Sequence, residues 1–244
     1  MYNEFAYIYD ELMQDVDYED WYLYIENLFR KFNKKPHNIL EMACGTGNLS
    51  YYLAKSGYNL TCFDLSNDML SMAYNKLGNF KNVKILNQNM IDFNINKEFD
   101  AIISICDSIN YILDEKDLLQ TFNNVRRHLS KDGIFIFDIN SHYKLKYIIG
   151  NNTFIEEGED VYYIWQNFFQ DKENIAEFYI TFFTKDVDGK YIRFEEEHME
   201  RAYYIEEILQ LLKTSNFNEI HLYGDLSFEK PQEKSERITI IAMA

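Results

Sequence analysis

The sequence predicts an α/β chain, a doubly wound and mostly parallel sheet that carries a small antiparallel β insertion. Three observations predict it. Short apolar runs alternate with amphipathic helical stretches between residues 36 and 140. A glycine-bearing turn, "NILEMACGTGNLS" at 38–50, follows the first of those runs. After Asn140 the alternation gives way to long extended stretches with no helix between them. The 244 residues suit one large domain with an insertion and are enough to bury a substantial core.

In "YEDWYLYIENLFRKF" the apolar residues Trp21, Tyr24, Ile25, Leu28 and Phe32 recur at helical spacing, with Asp17 placed as N-cap and Pro36 as the stop. Strand "NILEM", helix "NLSYYLAKSG", strand "NLTCFD" and helix "SNDMLSMAYNKL" come next. Strands "VKILNQ" and "FDAIISIC", helix "EKDLLQTFNNVRRHLS" and strand "GIFIFDI" complete the alternating part. Three extended segments then follow, "DVYYIWQNFFQD", "IAEFYITFFTKD" and "KYIRFEEEHMERAY", the last two joined as a hairpin through "DVDGK", where Gly189 gives the turn its backbone freedom. The expected division is a core of residues 1–144 and 204–244 around an insertion of residues 145–203. Helix "YIEEILQLLKTSN", with Ile205, Ile208, Leu209 and Leu212 on one face, resumes the parallel pattern, and strand "RITIIAMA" ends it.

With 24 basic against 40 acidic residues the net charge is -16, which repels phosphate backbones and argues against a nucleic-acid partner. No apolar run is long enough to span a membrane, and the start is acidic where a secretory signal would be basic, so a cytoplasmic protein without a membrane partner is expected. Cys44, Cys62 and Cys106 are widely spaced in apolar contexts and read as buried free thiols rather than a disulfide framework or metal site. The 20 Tyr and 19 Phe rise together with Asn, Ile and Lys, as drift in base composition would produce.

In an open α/β sheet the ligand lies beyond the carboxyl ends of the strands, and Gly45 and Gly47 let the first turn approach it closely. The series A-C-G-T-G-N-L lacks the third glycine of the dinucleotide fingerprint, a poor match to NAD. Asp64 ends the second strand, where a carboxylate can accept both hydroxyls of an adenosine ribose. The other reading of Asp64 with Ser66 is a helix N-cap box.

Taken together, E-M-A-C-G-T-G-N, C-F-D-L-S-N-D-M-L and N-Q-N-M-I-D-F resemble the three ordered motifs of class I S-adenosylmethionine-dependent methyltransferases over about residues 36 to 140. The resemblance implies a Rossmann-like, seven-stranded methyltransferase sheet and S-adenosylmethionine as cofactor. It departs from the family at Ala43, which stands where the first glycine of G-x-G-x-G would be. By position, the resemblance makes Glu41 the acidic residue that orders the loop and has Ala43, Cys44, Gly45 and Gly47 wrap the methionine part. Asp64 then binds the ribose, Leu65 packs on the adenine, and Asn89 and Met90 stand at the adenine edge. "SICDSINYIL" resembles the segment beneath the sulfonium, placing Cys106 and Asp107 near the cofactor, with Asp107 and Tyr111 as substrate-binding residues. "YNEFAYIYDELM" resembles a leading helix folded over the site, with Tyr2 and Tyr9 as residues that close it.

The implied reaction is methyl transfer to an oxygen or nitrogen of a small-molecule acceptor. The protein positions the partners and gives the proton a route, with Tyr111, Asp107 and His198 as candidate acceptors of it. No metal is expected, although Asp107 and Asp138 sit at two strand ends that can converge. The acidic residues Glu156, Glu157, Glu159, Asp160, Glu195, Glu196 and Glu197 crowd the insertion, as a solvated face or as a mouth for a cationic acceptor. Two rivals stay open at this level: a nicotinamide oxidoreductase, and a cofactor-binding regulatory protein without turnover. Nothing in the sequence speaks to oligomeric state.

Overall fold

The computed structural model describes residues 3–158 and 160–243, so Tyr2 and Glu159 lie outside the described residues. Helices α1 (Asn3–Leu12) and α2 (Tyr18–Lys31) lead into the sheet. Asp17 caps α2 as its position predicts, its carboxylate accepting from the amides of Glu19 and Asp20. The alternating part follows as β1 (Asn38–Met42), α3 (Asn48–Lys55), β2 (Asn59–Asp64), α4 (Asn67–Leu77) and β3 (Val83–Asn87). It continues with β4 (Phe99–Ser104), α5 (Glu115–His128) and β5 (Leu129–Asn140). Past a π-helical turn at Lys144–Ile149 come β6 (Thr153–Glu157), β7 (Val161–Gln170), β8 (Ile175–Lys185) and β9 (Tyr191–Arg201). The chain closes with α6 (Ile205–Thr214), β10 (Glu219–Gly224) and β11 (Arg237–Met243).

The main sheet has seven strands in the order β10-β11-β5-β4-β1-β2-β3. β1 pairs in parallel with β2 on one side and β4 on the other, so strand order reverses at β1 and its carboxyl end opens a crevice. Alternation along β1 sends Ile39 against Ile25, Leu28 and Leu53 on one side of the sheet, and Leu40 and Met42 against Phe63, Phe122 and Phe135 on the other. Both faces are therefore covered, which is why these strands read as continuous apolar runs. Burial of each such side chain stabilises by about 1.5–3 kcal/mol.

β7, β8 and β9 are the three extended segments read from sequence, antiparallel throughout, and Gly189 at φ 76 makes the β8–β9 turn. Asp186 closes that turn by accepting from the amides of Asp188 and Lys190. Two further strands escaped the sequence pattern. β6 is too exposed and polar to show an apolar run, and β10 is six residues long with Ile220 and Leu222 as its aliphatic residues. The expectation that the parallel pattern resumes at the end of the chain is corrected here: β11 runs antiparallel to both β5 and β10. The loop between β10 and β11 turns the chain back through left-handed Asp225 and Leu226, while Asp225 Oδ1 accepts from the amides of Glu236 and Arg237. Among the described residues no helix is long and apolar enough to cross a membrane.

Candidate active site

The turn after β1 runs through three left-handed residues, Ala43 (φ 52), Gly45 (φ 54) and Gly47 (φ 82). Their spacing folds the loop back on itself, so that Gly45 N donates to Asp64 Oδ2 at 2.8 Å and Cys44 N to the Phe63 carbonyl at 2.9 Å. A Cβ at Gly45 would meet nothing within 4 Å, so its glycine answers to backbone conformation. Gly47, expected to help wrap the cofactor, also has a packing role. A Cβ there would sit 3.0 Å from Leu77 Cδ1 and 3.3 Å from Ala73 Cβ, so Gly47 lets α3 pack on α4 and lies outside the cavity lining. Ala43 keeps the left-handed turn without glycine at a cost of about 1–2 kcal/mol. Glycine would remove that cost but return about 0.4–1 kcal/mol through added freedom of the unfolded chain. Ala43→Gly is thus expected to raise unfolding free energy by about 0.5–1 kcal/mol, read by urea titration; a loss of stability would contradict strain at this position.

Glu41 is buried at the end of β1, where Ser50 Oγ donates to its Oε2 and ties the strand end to α3. Burial raises its carboxyl to about 8, against the Ser50 hydrogen bond, with the Asp64 charge adding to the rise. Between about 4.5 and 8 the folded state therefore holds a proton that the unfolded chain has released. Stability is fully present below that window and falls as pH rises through it, by up to ~1.4 kcal/mol per unit. Glu41→Gln is expected to flatten the slope of unfolding free energy between pH 5 and 8 by one group's share; an unchanged slope would place the proton elsewhere.

Beyond the carboxyl ends of β1, β2 and β4 lies a cavity of about 1130 Å³. A pocket for one small ligand runs about 300–1,000 Å³, so this one has room for two. One wall is Ala43, Gly45, Asp64, Leu65, Asn89 and Met90. Asp64 accepts from Ser66 N through Oδ1 and from Gly45 N through Oδ2, and burial raises its carboxyl despite those amides. Ser66, not Asp64, supplies the cap oxygen of α4, accepting from Met69 N. Leu65 is 64% exposed, an apolar surface beside that carboxylate. Asn89 Oδ1 accepts from Ile91 N, which fixes the side chain with one lone pair engaged. Cys44 and Glu41 line a smaller recess of about 40 Å³ that Tyr9 and Cys106 share with the main cavity.

Helix α1 lies over the loop. Asp10 accepts from Thr46 Oγ1 at 2.6 Å and from Asn48 Nδ2 at 2.9 Å, and pairs with Lys76 of α4 at 2.9 Å. Tyr9 is thereby held at the cavity, and burial raises its phenol well above its usual range. Tyr2 falls outside the described residues.

At the end of β4, Cys106 (φ 57) and Asp107 (φ 54) are consecutive left-handed residues, a conformation that costs energy and clusters at functional sites. Burial raises the Cys106 thiol, which leaves it un-ionised and unsuited to be a nucleophile. Asp107 and Asp138, the two strand-end acids, do converge, and what they converge on is Arg237 at the start of β11. Arg237 Nη2 donates to Asp107 Oδ1 at 2.7 Å and Nη1 to Asp138 Oδ2, which also accepts from Asp107 N. Asp107 therefore lines the cavity as half of an ion pair with Arg237. Burial works to lower the Arg237 pKa, but the two carboxylates raise it well above its ordinary value. Among the described residues no group of three or more His, Cys, Asp or Glu side chains is placed to hold a metal ion.

The opposite wall is the inner face of the second sheet: Tyr163 and Trp165 of β7, Phe178, Ile180 and Phe182 of β8, His198 and Glu200 of β9. Tyr111 reaches it from the β4 side, edge-on to His198 at 6.0 Å, while Phe5 of α1 packs on the same ring at 5.6 Å. His198 Nε2 is buried and has no hydrogen-bond partner among the described residues, and burial lowers its pKa. Glu200 and Arg237 were missed in the sequence. Period-two alternation in "EEEHMER" does place Glu196, His198 and Glu200 on one face, a signal that could have found Glu200. Arg237 carries no local signal, being a charged residue at the head of an apolar strand.

A methyltransferase-domain family matches residues 39–133. The chain is 34% identical to a putative methyltransferase of Geobacillus sp. (strain WCH70), over 99% of this chain and 98% of that one. The solved structure of an S-adenosylmethionine-dependent methyltransferase from Clostridium acetobutylicum ATCC 824 is 41% identical, covers 99% of this chain and 98% of that one, and superposes with a TM-score of 0.91. Similarity extends at 26% identity, over 47% of each chain, to a dTDP-3-amino-3,4,6-trideoxy-alpha-D-glucopyranose N,N-dimethyltransferase of Streptomyces venezuelae. Fold and site define a class I methyltransferase. The chain belongs to the S-adenosylmethionine-dependent methyltransferase family, and S-adenosylmethionine is its cofactor. That sets aside the nicotinamide and non-catalytic rivals.

Proposed function

We propose that this enzyme methylates an oxygen or nitrogen of a small-molecule acceptor held between the glycine turn and the inner face of the second sheet. The observation that carries the reading is the single cavity lined by Gly45, Asp64 and Leu65 on one wall and by the aromatic face of β7 and β8 on the other. Asp64 would hold the ribose hydroxyls, Leu65 and Met90 the faces of the adenine, Asn89 its edge. Ala43, Cys44 and Gly45 would bound the methionine part, ordered from behind by Glu41. Cys106 would lie beside the sulfonium, with Tyr9 closing the site. When bound, the cofactor supplies a methyl group already activated on a sulfonium. The chain's own task is then to align the acceptor, exclude water and take up a proton.

Residues 145–203 serve as the substrate cap, and Tyr111 touches the acceptor. The sugar-amine methyltransferase likeness and the net charge of -16 both favour a small molecule over nucleic acid. Calorimetric titration and a label-transfer assay test the reading together. Expected are micromolar binding of S-adenosylmethionine and S-adenosylhomocysteine, no binding of NAD, and methyl label recovered from a cell extract in its small-molecule fraction. Label recovered only in protein or RNA would overturn the acceptor class.

A further inference from the structure

Glu200 is 4% exposed, yet it lines the cavity, with Oε2 accepting from Asn140 Nδ2 at 2.9 Å. Around it the charges do not cancel. Asp107 and Asp138 share Arg237, and Lys144 Nζ donates to Asn140 Oδ1 rather than to a carboxylate. Three carboxyls thus face two cations, and among the described residues no cationic side chain is bonded to Glu200. A buried carboxylate without a cation is costly unless it stays protonated or meets a positive ligand. On the neighbouring strand Phe178 pairs with His198, two positions from Glu200, and Trp165 meets Phe178 edge-on at 5.5 Å; both line the cavity as an aromatic surface that favours an apolar body and attracts cations to its ring faces.

We propose that the acceptor is an amine on an apolar or aromatic body, and that Glu200 binds its ammonium and takes its proton. This rests on the methyl-transfer reading above and narrows it. The ammonium pairs with the Glu200 carboxylate, and one N–H proton passes to Glu200, which exposes the nitrogen lone pair. The nitrogen then forms the new C–N bond as the methyl–sulfur bond breaks and its electron pair returns to sulfur. The positive charge lost at sulfur reappears at nitrogen, so it stays within the field of Asp107, Asp138 and Glu200. Burial raises Glu200 to about 8, with the Asp107 charge adding, which matches it to exchange a proton with an amine. An alcohol is far too weak an acid for the same transfer.

The test is calorimetric titration of 2-phenylethylamine and its isostere 2-phenylethanol into protein saturated with S-adenosylhomocysteine, repeated on Glu200→Gln. The amine is expected to bind about 10- to 100-fold tighter than the alcohol, the ratio a charged hydrogen bond supports. In Glu200→Gln that preference should vanish while S-adenosylhomocysteine affinity stays within about twofold. Glu200→Ala, judged by the same cofactor titration, serves if Glu200→Gln does not fold. Equal binding of the two probes, a preference that survives the substitution, or no binding of either up to about 10 mM overturns the amine assignment and leaves the methyltransferase intact. Failure of the wild-type protein to bind S-adenosylhomocysteine sinks both readings.

Discussion

Arg237→Met is expected to lower unfolding free energy by about 3–5 kcal/mol, because it strips the counterion from the fully buried Asp138 and from the mostly buried Asp107. Asp138 is fully buried, and its Oδ1 already has no hydrogen-bond partner among the described residues, so little in its surroundings can replace the guanidinium. The effect should shrink at low pH. Burial holds the Asp138 carboxyl up at about 6 even with Arg237 nearby, and without that charge it would rise further. As pH falls, Asp138 takes up a proton in the folded variant, and the penalty for an unpaired charge lessens. Urea unfolding at pH 7 and pH 5 measures both parts. A second variant in which Asp107→Asn and Asp138→Asn accompany Arg237→Met should recover part of the loss, since neutral amides need no counterion. A loss under about 1 kcal/mol at pH 7 would mean that the network is not held as an ion pair.

Asp64→Ala is expected to weaken S-adenosylhomocysteine binding by about 1.5–3 kcal/mol, the worth of a hydrogen bond to a charged acceptor. The substitution also strips Gly45 N and Ser66 N of their acceptor, so loop order and ligand contact fail together. Asp64→Asn separates the two. Its single carbonyl oxygen can still receive one amide, so it should retain part of the loop order with weaker ribose binding. Calorimetry paired with a thermal melt distinguishes the cases: unchanged affinity with a lowered melting temperature would make Asp64 a strut for the turn and nothing more.

Much of this molecule was legible because its signals are local. A helix cap needs its acceptor one step before the first turn, and Asp17 stands there. A strand buried on both faces must be apolar throughout, and β1, β2, β4 and β5 are nearly so. The motif order around Glu41, Gly45 and Asp64 marked one wall of the cavity for the same reason, since a strand, a tight turn and a helix cap lie within a few residues of one another. β6 escaped because an exposed polar strand leaves no apolar trace, and the antiparallel run of β11 because strand direction is not written in a strand's own residues.

The sequence by itself determined the alternating core, the glycine turn, the cofactor class and the presence of an antiparallel insertion. Only the tertiary structure decided that Gly47 serves helix packing, that Glu200 and His198 line the same cavity as the glycine turn, and that Asp107 meets Arg237 from 130 positions away. The physical reason is range. Propensity, periodicity and capping act over a few residues, whereas the partner of a buried charge is set by which strands lie side by side, and β11 joins Asp138 of β5 and Asp107 beyond β4 only once the sheet has closed in its order.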